Sequence, residues 1–193
     1  MNLLEGEKPF LKNYLNKFER ASLNRWITEH GKHAESWVDY ENQPSLHMAH
    51  LFSHAGAPWL TQYWVRKIKK EVFGDISPYG GYNGDEDQGQ MSAWFIMAAI
   101  GLFQTDGGCQ IEPVYEIASP LYEKIVLHLD NRYGRGKEFI IEAKNASRQN
   151  KYVQSATLNG KKLTSFKFPA AELLKGGSLV LEMGEKPNKN WGK

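Results

Sequence analysis

The chain has 193 residues, enough for one large domain or two small ones. Its 24 basic and 22 acidic side chains nearly balance, so bulk charge gives no basis for binding nucleic acid or an anionic membrane. A hydrophobic fraction of 41% excludes a disordered or collagen-like chain, and the single cysteine, Cys109, excludes an intrachain disulfide. No signal peptide is expected, and the longest apolar stretch, residues 91–103, is shorter than the roughly 18–20 residues of a membrane span.

The first half of the chain carries the apolar periodicity of helices. Four helices are predicted, at residues 9–20, 44–56, 58–73 and 88–100. The third is the clearest, because Leu60, Trp64, Ile68 and Val72 recur every four residues before Gly74. Residues 30–42 and 75–89 are predicted to be loops, since both lack this periodicity and the second is rich in glycine.

The second half carries short runs of strand-forming residues between turn signals. Strands are predicted at residues 125–129, 138–143, 152–158, 163–168 and 178–183. Asn159-Gly160, between two of these runs, indicates a hairpin. Helices followed by strands indicate the α+β class: a helical part at residues 1–104 and an antiparallel β-sheet or sandwich at residues 105–193.

Three consecutive carboxylates, Asp85, Glu86 and Asp87, lie in the glycine-rich segment just before the last predicted helix. One interpretation is a helix start, with Asp87 as the N-cap and Gln90 completing a capping box. That explains one or two of the charges, whereas three adjacent like charges repel one another. The alternative is a site in which carboxylates act as a general base or bind a hard cation, with Asp85 and Asp87 pointing the same way if the loop is extended. Spacing alone leaves both open.

Two other segments carry potential site residues. His47, His50 and His54 fall near one face of the second predicted helix, a spacing that suits zinc, although histidines of this kind are more often hydrogen-bonded core or rim residues. Just before them, Asn42 and Gln43 offer oxygen atoms to a cation or to sugar hydroxyls. The simpler interpretation of that segment is a loop with Ser45 as the N-cap of the helix.

Several motifs occur in an order that resembles the C-terminal part of glycoside hydrolase family 92, the calcium-dependent exo-acting α-mannosidases. They are Asn42-Gln43-Pro44-Ser45, His47-Met48-Ala49-His50-Leu51-Phe52, Gly56-Ala57-Pro58-Trp59, Thr61-Gln62, residues 80–90, Gly101-Leu102-Phe103, Ser119-Pro120 and Leu158-Asn159-Gly160. The resemblance runs from about Trp37 to the end of the chain and covers both halves.

The resemblance implies that residues 1–104 are part of an (α/α)6 toroid and that the enzyme cleaves terminal α-mannose with inversion. It implies that Asp87 is the general base and that Asp85 supports it or shares the role. Asn42, Gln43 and Glu86 are then expected to bind the substrate, with Asn42, Gln43 and Asp85 as ligands of a calcium ion. Many family members carry glutamate at the position of Gln43.

The family's general acid is a glutamate on an upstream segment, a position that neither Glu41 nor Glu86 occupies. We therefore expect a fragment or very short homologue that carries the base side of the site and is weak or inactive alone. Its expected partners are an α-mannoside glycan and either the missing upstream part or a second copy. The parent enzyme is expected to be periplasmic or secreted. The alternative function is a non-catalytic carbohydrate-binding module that would present Tyr152 and Phe166 on the sheet.

Overall fold

The computed structural model describes residues 7–27, 38–77, 81 and 84–193. Its helices are α1 Glu7–Leu23, α2 Leu51–His54, α3 Pro58–Val72, α4 Gln90–Ile100 and α5 Ala170–Leu174. Its strands are β1 Leu102–Phe103, β2 Val114–Ile117, β3 Lys124–His128, β4 Glu138–Lys144, β5 Tyr152–Leu158, β6 Lys161–Leu163, β7 Lys167–Pro169 and β8 Gly177–Gly184. The α+β class is confirmed. Within the described ranges, no helix is long and apolar enough to cross a membrane.

The helices of the first half pack around a core of aromatic rings. Phe18 on α1 lies 4.9 Å from Phe52 and 5.4 Å from Trp64, measured between ring centroids. Tyr40 extends the core, with its ring 5.7 Å from that of Trp26 and 5.5 Å from that of Trp94 on α4. All of these rings are buried, so the backbone that enters residues 41–43 is anchored in the core.

The predicted helices α1, α3 and α4 are confirmed, whereas the single helix predicted for residues 44–56 is wrong. That segment forms two 3₁₀ turns, Gln43–Ser45 and Met48–His50, followed by the short α2. The hydroxyl of Ser45 accepts a hydrogen bond from the backbone N–H of Asp39 at 2.9 Å instead of capping a helix. A side chain that bonds to backbone outside its own helix competes with regular helix formation, which accounts for the interruption.

The strands form two sheets, in the order β3-β4-β8-β5-β6 and β1-β2-β7. The larger sheet is mixed, because β4 and β8 are parallel while its other pairs are antiparallel; the prediction of an antiparallel sheet is wrong for that pair. The strand predicted at residues 163–168 is divided between β6 and β7, which belong to different sheets. The short β1, β2 and α5 were not predicted.

Helix α3 connects the helical core to the larger sheet. The side-chain Oε1 of the buried Gln62 accepts the backbone N–H of Val153 at 3.1 Å, beside an irregularity in the β5–β8 pairing. One helix turn later, Arg66 donates to the backbone carbonyl of Ser147. The division of the chain at residues 104 and 105 stays a prediction. Residues 30–37 of one predicted loop and 78–80 and 82–83 of the other lie outside the described residues.

Candidate functional site

Two loops that are distant in sequence meet beside the helical core. We call residues 39–45 the first site loop and residues 84–89 the second site loop. The carboxylate Oδ2 of Asp87 accepts a hydrogen bond from the backbone N–H of Gln43 at 3.0 Å. Gly84 lies against Glu41 so closely that an added Cβ would be 2.2 Å from the Glu41 Cγ and 2.4 Å from its carbonyl oxygen. The structure thus brings together the segments that carry all the site residues expected from the sequence, whose individual roles stay predictions.

The first site loop is fixed by its own hydrogen bonds and by the core below it. Asp39 accepts the backbone N–H of Glu41 at 3.0 Å through Oδ1. The buried hydroxyl of Tyr40 accepts the backbone N–H of Ala49 at 3.2 Å, and burial raises the pKa of this phenol well above its usual value. The side chains of Asn42 and Gln43 remain exposed on the loop. Their amide oxygens therefore face solvent, while the backbone that carries them is held by the hydrogen bonds of Asp39 and Tyr40.

Glu86, not Asp87, holds the start of helix α4. Its two carboxylate oxygens accept the backbone N–H groups of Ser92, at 3.2 Å, and of Gly89. The hydrogen bonds from Ser92, reinforced by that from Gly89, lower the pKa of Glu86. The N-cap position itself is Gly89, which has no side chain, so the prediction of an Asp87–Gln90 capping box is wrong. The carboxylate of Asp87 is left available for the other loop.

A run of left-handed backbone aims Asp87 away from the helix. Asp87, Gln88 and Gly89 have φ values of 55°, 58° and 90°. Only glycine adopts such values without strain, and strained residues of this kind cluster at functional sites. The backbone at Asp87 is not extended, so the condition under which Asp85 and Asp87 were expected to point the same way is not met. Asp85 is exposed and Asp87 partly buried.

The exposed donors of the two site loops are oxygen atoms. Asn42 and Gln43 supply amide oxygens and Asp85 supplies a carboxylate, a donor set that fits a hard cation such as calcium. No cluster of three or more His, Cys, Asp or Glu suited to a metal occurs in the described ranges. Oxygen atoms are the ligands that calcium prefers, whereas zinc is more often held by nitrogen and sulfur. The calcium ion stays a prediction.

The zinc hypothesis for the three histidines is wrong. His50 is completely buried, neither ring nitrogen has a hydrogen-bond partner, and the ring stacks on Phe103 with centroids 4.1 Å apart. The Nε2 atom of His54 lies 2.8 Å from Oε1 of the buried Glu116. His47 is exposed. Among the described residues, these three side chains do not form a group that could hold a metal ion.

Burial of His50 makes the stability of the protein dependent on pH. Desolvation, with smaller contributions from Lys69, His47 and His54, lowers the pKa of His50 to about 3 from 6.5. The unfolded chain therefore binds a proton between these values that the folded chain does not. We expect the free energy of unfolding to fall by about 1.4 kcal/mol per pH unit from this group as the pH drops through that window.

His50→Phe should remove that dependence, because phenylalanine keeps the stacked ring without a titrating nitrogen. Urea unfolding of both proteins between pH 7 and pH 4 measures the difference. His128→Gln removes an exposed histidine on β3 that is not among the groups acting on His50, and it serves as the matched control, which should keep the wild-type slope. Equal slopes for wild type and His50→Phe would contradict the burial of a neutral histidine.

Removing the Glu86 carboxylate should loosen the second site loop. We expect Glu86→Ala to speed amide hydrogen exchange at Ser92 roughly fivefold, because the helix start loses its side-chain acceptor. Glu86→Gln keeps one acceptor oxygen and should show a smaller change. Since the folded pKa of Glu86 is lowered, its stabilising effect should be present at neutral pH and lost as the pH falls through that lowered value. Unchanged exchange in Glu86→Ala would contradict the capping role.

The aromatic platform that a carbohydrate-binding module would need is absent at the two predicted rings. Tyr152 and Phe166 are each only 9% exposed.

Cys109 is exposed and free, in agreement with the absence of a disulfide. The sequence did not predict that Glu86 bonds to the start of α4 or that Gly84 packs against Glu41. The only signal in the sequence was the pair of glycines, at 84 and 89, on either side of the carboxylates.

The comparison with protein families gives one match along nearly the whole chain. The model of the glycosyl hydrolase family 92 catalytic domain matches residues 1–185. A curated relative, named an uncharacterized secreted glycosidase, comes from the fungus Arthroderma benhamiae. It is 31% identical over 153 residues, which cover 78% of this chain and 19% of the relative.

Solved structures give the same result. The family GH92 α-mannosidase BT3965 from Bacteroides thetaiotaomicron, in complex with mannoimidazole, matches with a TM-score of 0.79 and 28% identity over 97% of this chain. The family GH92 inverting mannosidase BT2199 from the same organism matches with a TM-score of 0.77 and 32% identity over 98% of this chain. This chain covers 24% and 26% of those two proteins, about a quarter of their length. The chain belongs to glycoside hydrolase family 92.

Proposed function

We propose that this chain carries the general-base side of the active site of an inverting, exo-acting α-mannosidase, one that hydrolyses terminal α-mannose from glycans. The observation that carries the proposal is the hydrogen bond between the Asp87 carboxylate and the backbone of Gln43, which joins the two site loops. Support also comes from the family and from similar proteins named as α-mannosidase and inverting mannosidase.

Asp87 acts as the base in this mechanism. One carboxylate oxygen is held by the Gln43 N–H, which fixes the direction of the group, and its partial exposure leaves the carboxylate accessible to water. The carboxylate orients a water molecule and takes its proton as the water oxygen attacks the anomeric carbon from the face opposite the leaving group. Attack from that face inverts the configuration, so an α-mannoside gives β-mannose. Asp85 supports the charge and orientation of Asp87, and Glu86 keeps the loop in place.

Asn42, Gln43 and Asp85 would hold the calcium ion on the exposed side of the loops. When bound, the ion supplies positive charge that orients sugar hydroxyl oxygens. The chain's own contribution is a set of oxygen ligands on a backbone that is held in place. Within the first site loop, the side chains of Ser45 and Asp39 accept the backbone N–H groups of Asp39 and Glu41.

We propose that the general acid comes from polypeptide outside this chain. An inverting glycosidase holds its two carboxyl groups roughly 6.5–9.5 Å apart, with water on one side of the sugar and the leaving oxygen on the other. The helical half would then form part of an (α/α)6 toroid, a proposal supported by the chain's spanning about a quarter of the solved relatives. We propose a secreted location for the whole protein, as the fungal relative is named a secreted glycosidase.

The function is tested by fluoride release from α-mannosyl fluoride, with calcium and with EDTA. Fluoride leaves without much protonation, so the assay does not depend on the general acid. We expect release in calcium that falls at least about tenfold in EDTA and returns when calcium is added back. Circular dichroism in each buffer shows whether the chain stays folded. Absence of calcium-dependent release from folded protein would contradict the proposal.

A further inference from the structure

A cleft lies on the sheet half, and none of the residues assigned to the mannoside site lines it. It has a volume of about 370 Å³ and lies between the turn that follows β4 and the segment that follows β8. Its walls include Arg148, Gln149, Lys151, Tyr152, Glu185 and Lys186. A volume of this size falls in the range of small-molecule sites in proteins.

The wall formed by the turn after β4 is held by local hydrogen bonds. The backbone N–H of Asn150 donates to the hydroxyl of Ser147 at 2.9 Å, which closes the turn. The hydroxyl of Ser119 donates to the carbonyl of Lys151 at 2.7 Å and ties the end of the turn to a buried segment. The backbone that carries Arg148, Gln149 and Lys151 is therefore fixed on both sides.

The opposite wall is attached to strand β5. The side-chain Nε2 of Gln154 donates to the carbonyl of Lys186 at 2.9 Å, and Nδ2 of Asn188 donates back to the carbonyl of Gln154 at 2.9 Å. This exchange fixes the segment that carries Glu185 and Lys186 against the sheet. Both walls are thus held without a ligand, so binding costs little ordering of the backbone.

The net charge of the cleft is positive. Arg148, Lys151 and Lys186 face a single acidic wall residue, Glu185. Among the described residues, none of the three cations takes part in an ion pair. Lys151 instead lies over the ring of Tyr152, with Nζ 5.9 Å from the centroid. Like charges gathered in one concave site repel one another, and an anion relieves that repulsion.

We propose that this cleft binds an acidic sugar. Arg148 and Lys186 hold its phosphate or carboxylate, since guanidinium and ammonium groups form their strongest hydrogen bonds with such anions. Gln149 can donate hydrogen bonds to the sugar hydroxyls and accept them, and Glu185 accepts them through its carboxylate. The proposal does not depend on the proposed catalytic function, because it uses other residues and requires no hydrolysis.

Binding is measured by titrating the ¹⁵N-labelled chain with glucose 6-phosphate, glucose or inorganic phosphate and recording amide shifts. A glucose-based probe separates this cleft from the proposed mannoside site. We expect glucose 6-phosphate to shift the amides of Gln149, Lys151 and Lys186 at lower concentration than either component alone, with an affinity that falls as salt is added. Equal affinity for inorganic phosphate would overturn the assignment to a sugar, and no shift at these amides would overturn the site.

Two double variants separate the cleft from general surface charge. Arg148→Gln with Lys186→Gln should weaken binding of glucose 6-phosphate about tenfold or more, because both anion contacts are lost. Lys161→Gln with Lys162→Gln removes the same charge from two exposed lysines on β6 and should leave binding unchanged. Binding that survives the first double variant, or that both weaken equally, would contradict the proposal.

Discussion

Replacing Asp87 by asparagine should lower calcium-dependent fluoride release from α-mannosyl fluoride roughly 10²–10⁴-fold, the range that a general base contributes. The asparagine side chain cannot take a proton from water, but its amide oxygen can still accept the N–H of Gln43. The two site loops should therefore stay together, and the free energy of unfolding should change by less than about 0.5 kcal/mol. Initial rates and urea unfolding of the same preparations measure both effects.

The matched control for this variant is Asp106→Asn. Asp106, like Asp87, is a loop aspartate that accepts a backbone N–H, from Gly108 at 2.9 Å, but it lies outside both site loops. Its replacement should leave the rate at the wild-type value. A wild-type rate in Asp87→Asn would remove Asp87 from the role of base. Equal losses in both variants would show that the assay responds to any loss of negative charge.

Gly84→Ala should separate the two site loops and slow the reaction without altering a proposed catalytic residue. The new Cβ would be placed 2.2 Å from the Glu41 Cγ and 2.4 Å from its carbonyl oxygen, and the second of these is backbone that cannot rotate aside. Residue 84 also has a φ of 64°, which costs alanine about 1–2 kcal/mol. We expect unfolding to become easier by at least that amount and fluoride release to fall more than about tenfold, since a shift of about 1 Å can cost far more.

Gly160→Ala is the control that separates the collision with Glu41 from the backbone cost of a positive φ. Gly160 has a φ of 77° but nothing within 4 Å of an added Cβ, so the variant carries the backbone cost without the collision. It should lose similar conformational free energy and keep the wild-type rate of fluoride release. If Gly84→Ala behaved like Gly160→Ala in both measurements, the contact between the loops would not be needed for activity.

Local sequence was sufficient for helices whose apolar residues repeat over several turns. Helix α3 begins at Pro58 and carries Leu60, Trp64 and Ile68 on one side, so periodicity alone placed it. The segment at residues 44–56 has a similar composition, but the side chain of Ser45 bonds to the backbone of Asp39. The partner of that contact lies outside the segment, so the apolar periodicity within residues 44–56 carries no information about it. The helix prediction is wrong there for this reason.

The sheets show the same limit. Strands β4, β5 and β8 have seven or eight residues each, and their runs of strand-forming residues were visible in the sequence. Their order and the parallel pairing of β4 with β8 depend on long-range contacts, which run lengths and turn signals do not encode. Strand β1 has only two residues and forms through pairing with β2, so there was no local pattern to find.

The resemblance identified the two segments of the candidate site, and the structure shows that neighbouring carboxylates in one of them make different contacts. Spacing alone could not decide whether the three carboxylates start a helix or form a site. In the structure they do both: Glu86 holds the helix start, while Asp87 bonds to Gln43 on the other loop. This division depends on the left-handed backbone at residues 87–89, which places neighbouring side chains on different partners. Sequence patterns assume regular backbone and therefore miss it.

The most direct test of the base assignment is the configuration of the mannose first released from α-mannosyl fluoride. Proton NMR during the first minutes of the reaction, in calcium and before the anomers equilibrate, distinguishes the two products. A base that activates water on the face opposite the fluoride predicts β-mannose first, and its appearance should be lost in Asp87→Asn. α-Mannose as the first product, or β-mannose formed equally fast by Asp87→Asn, would contradict the account.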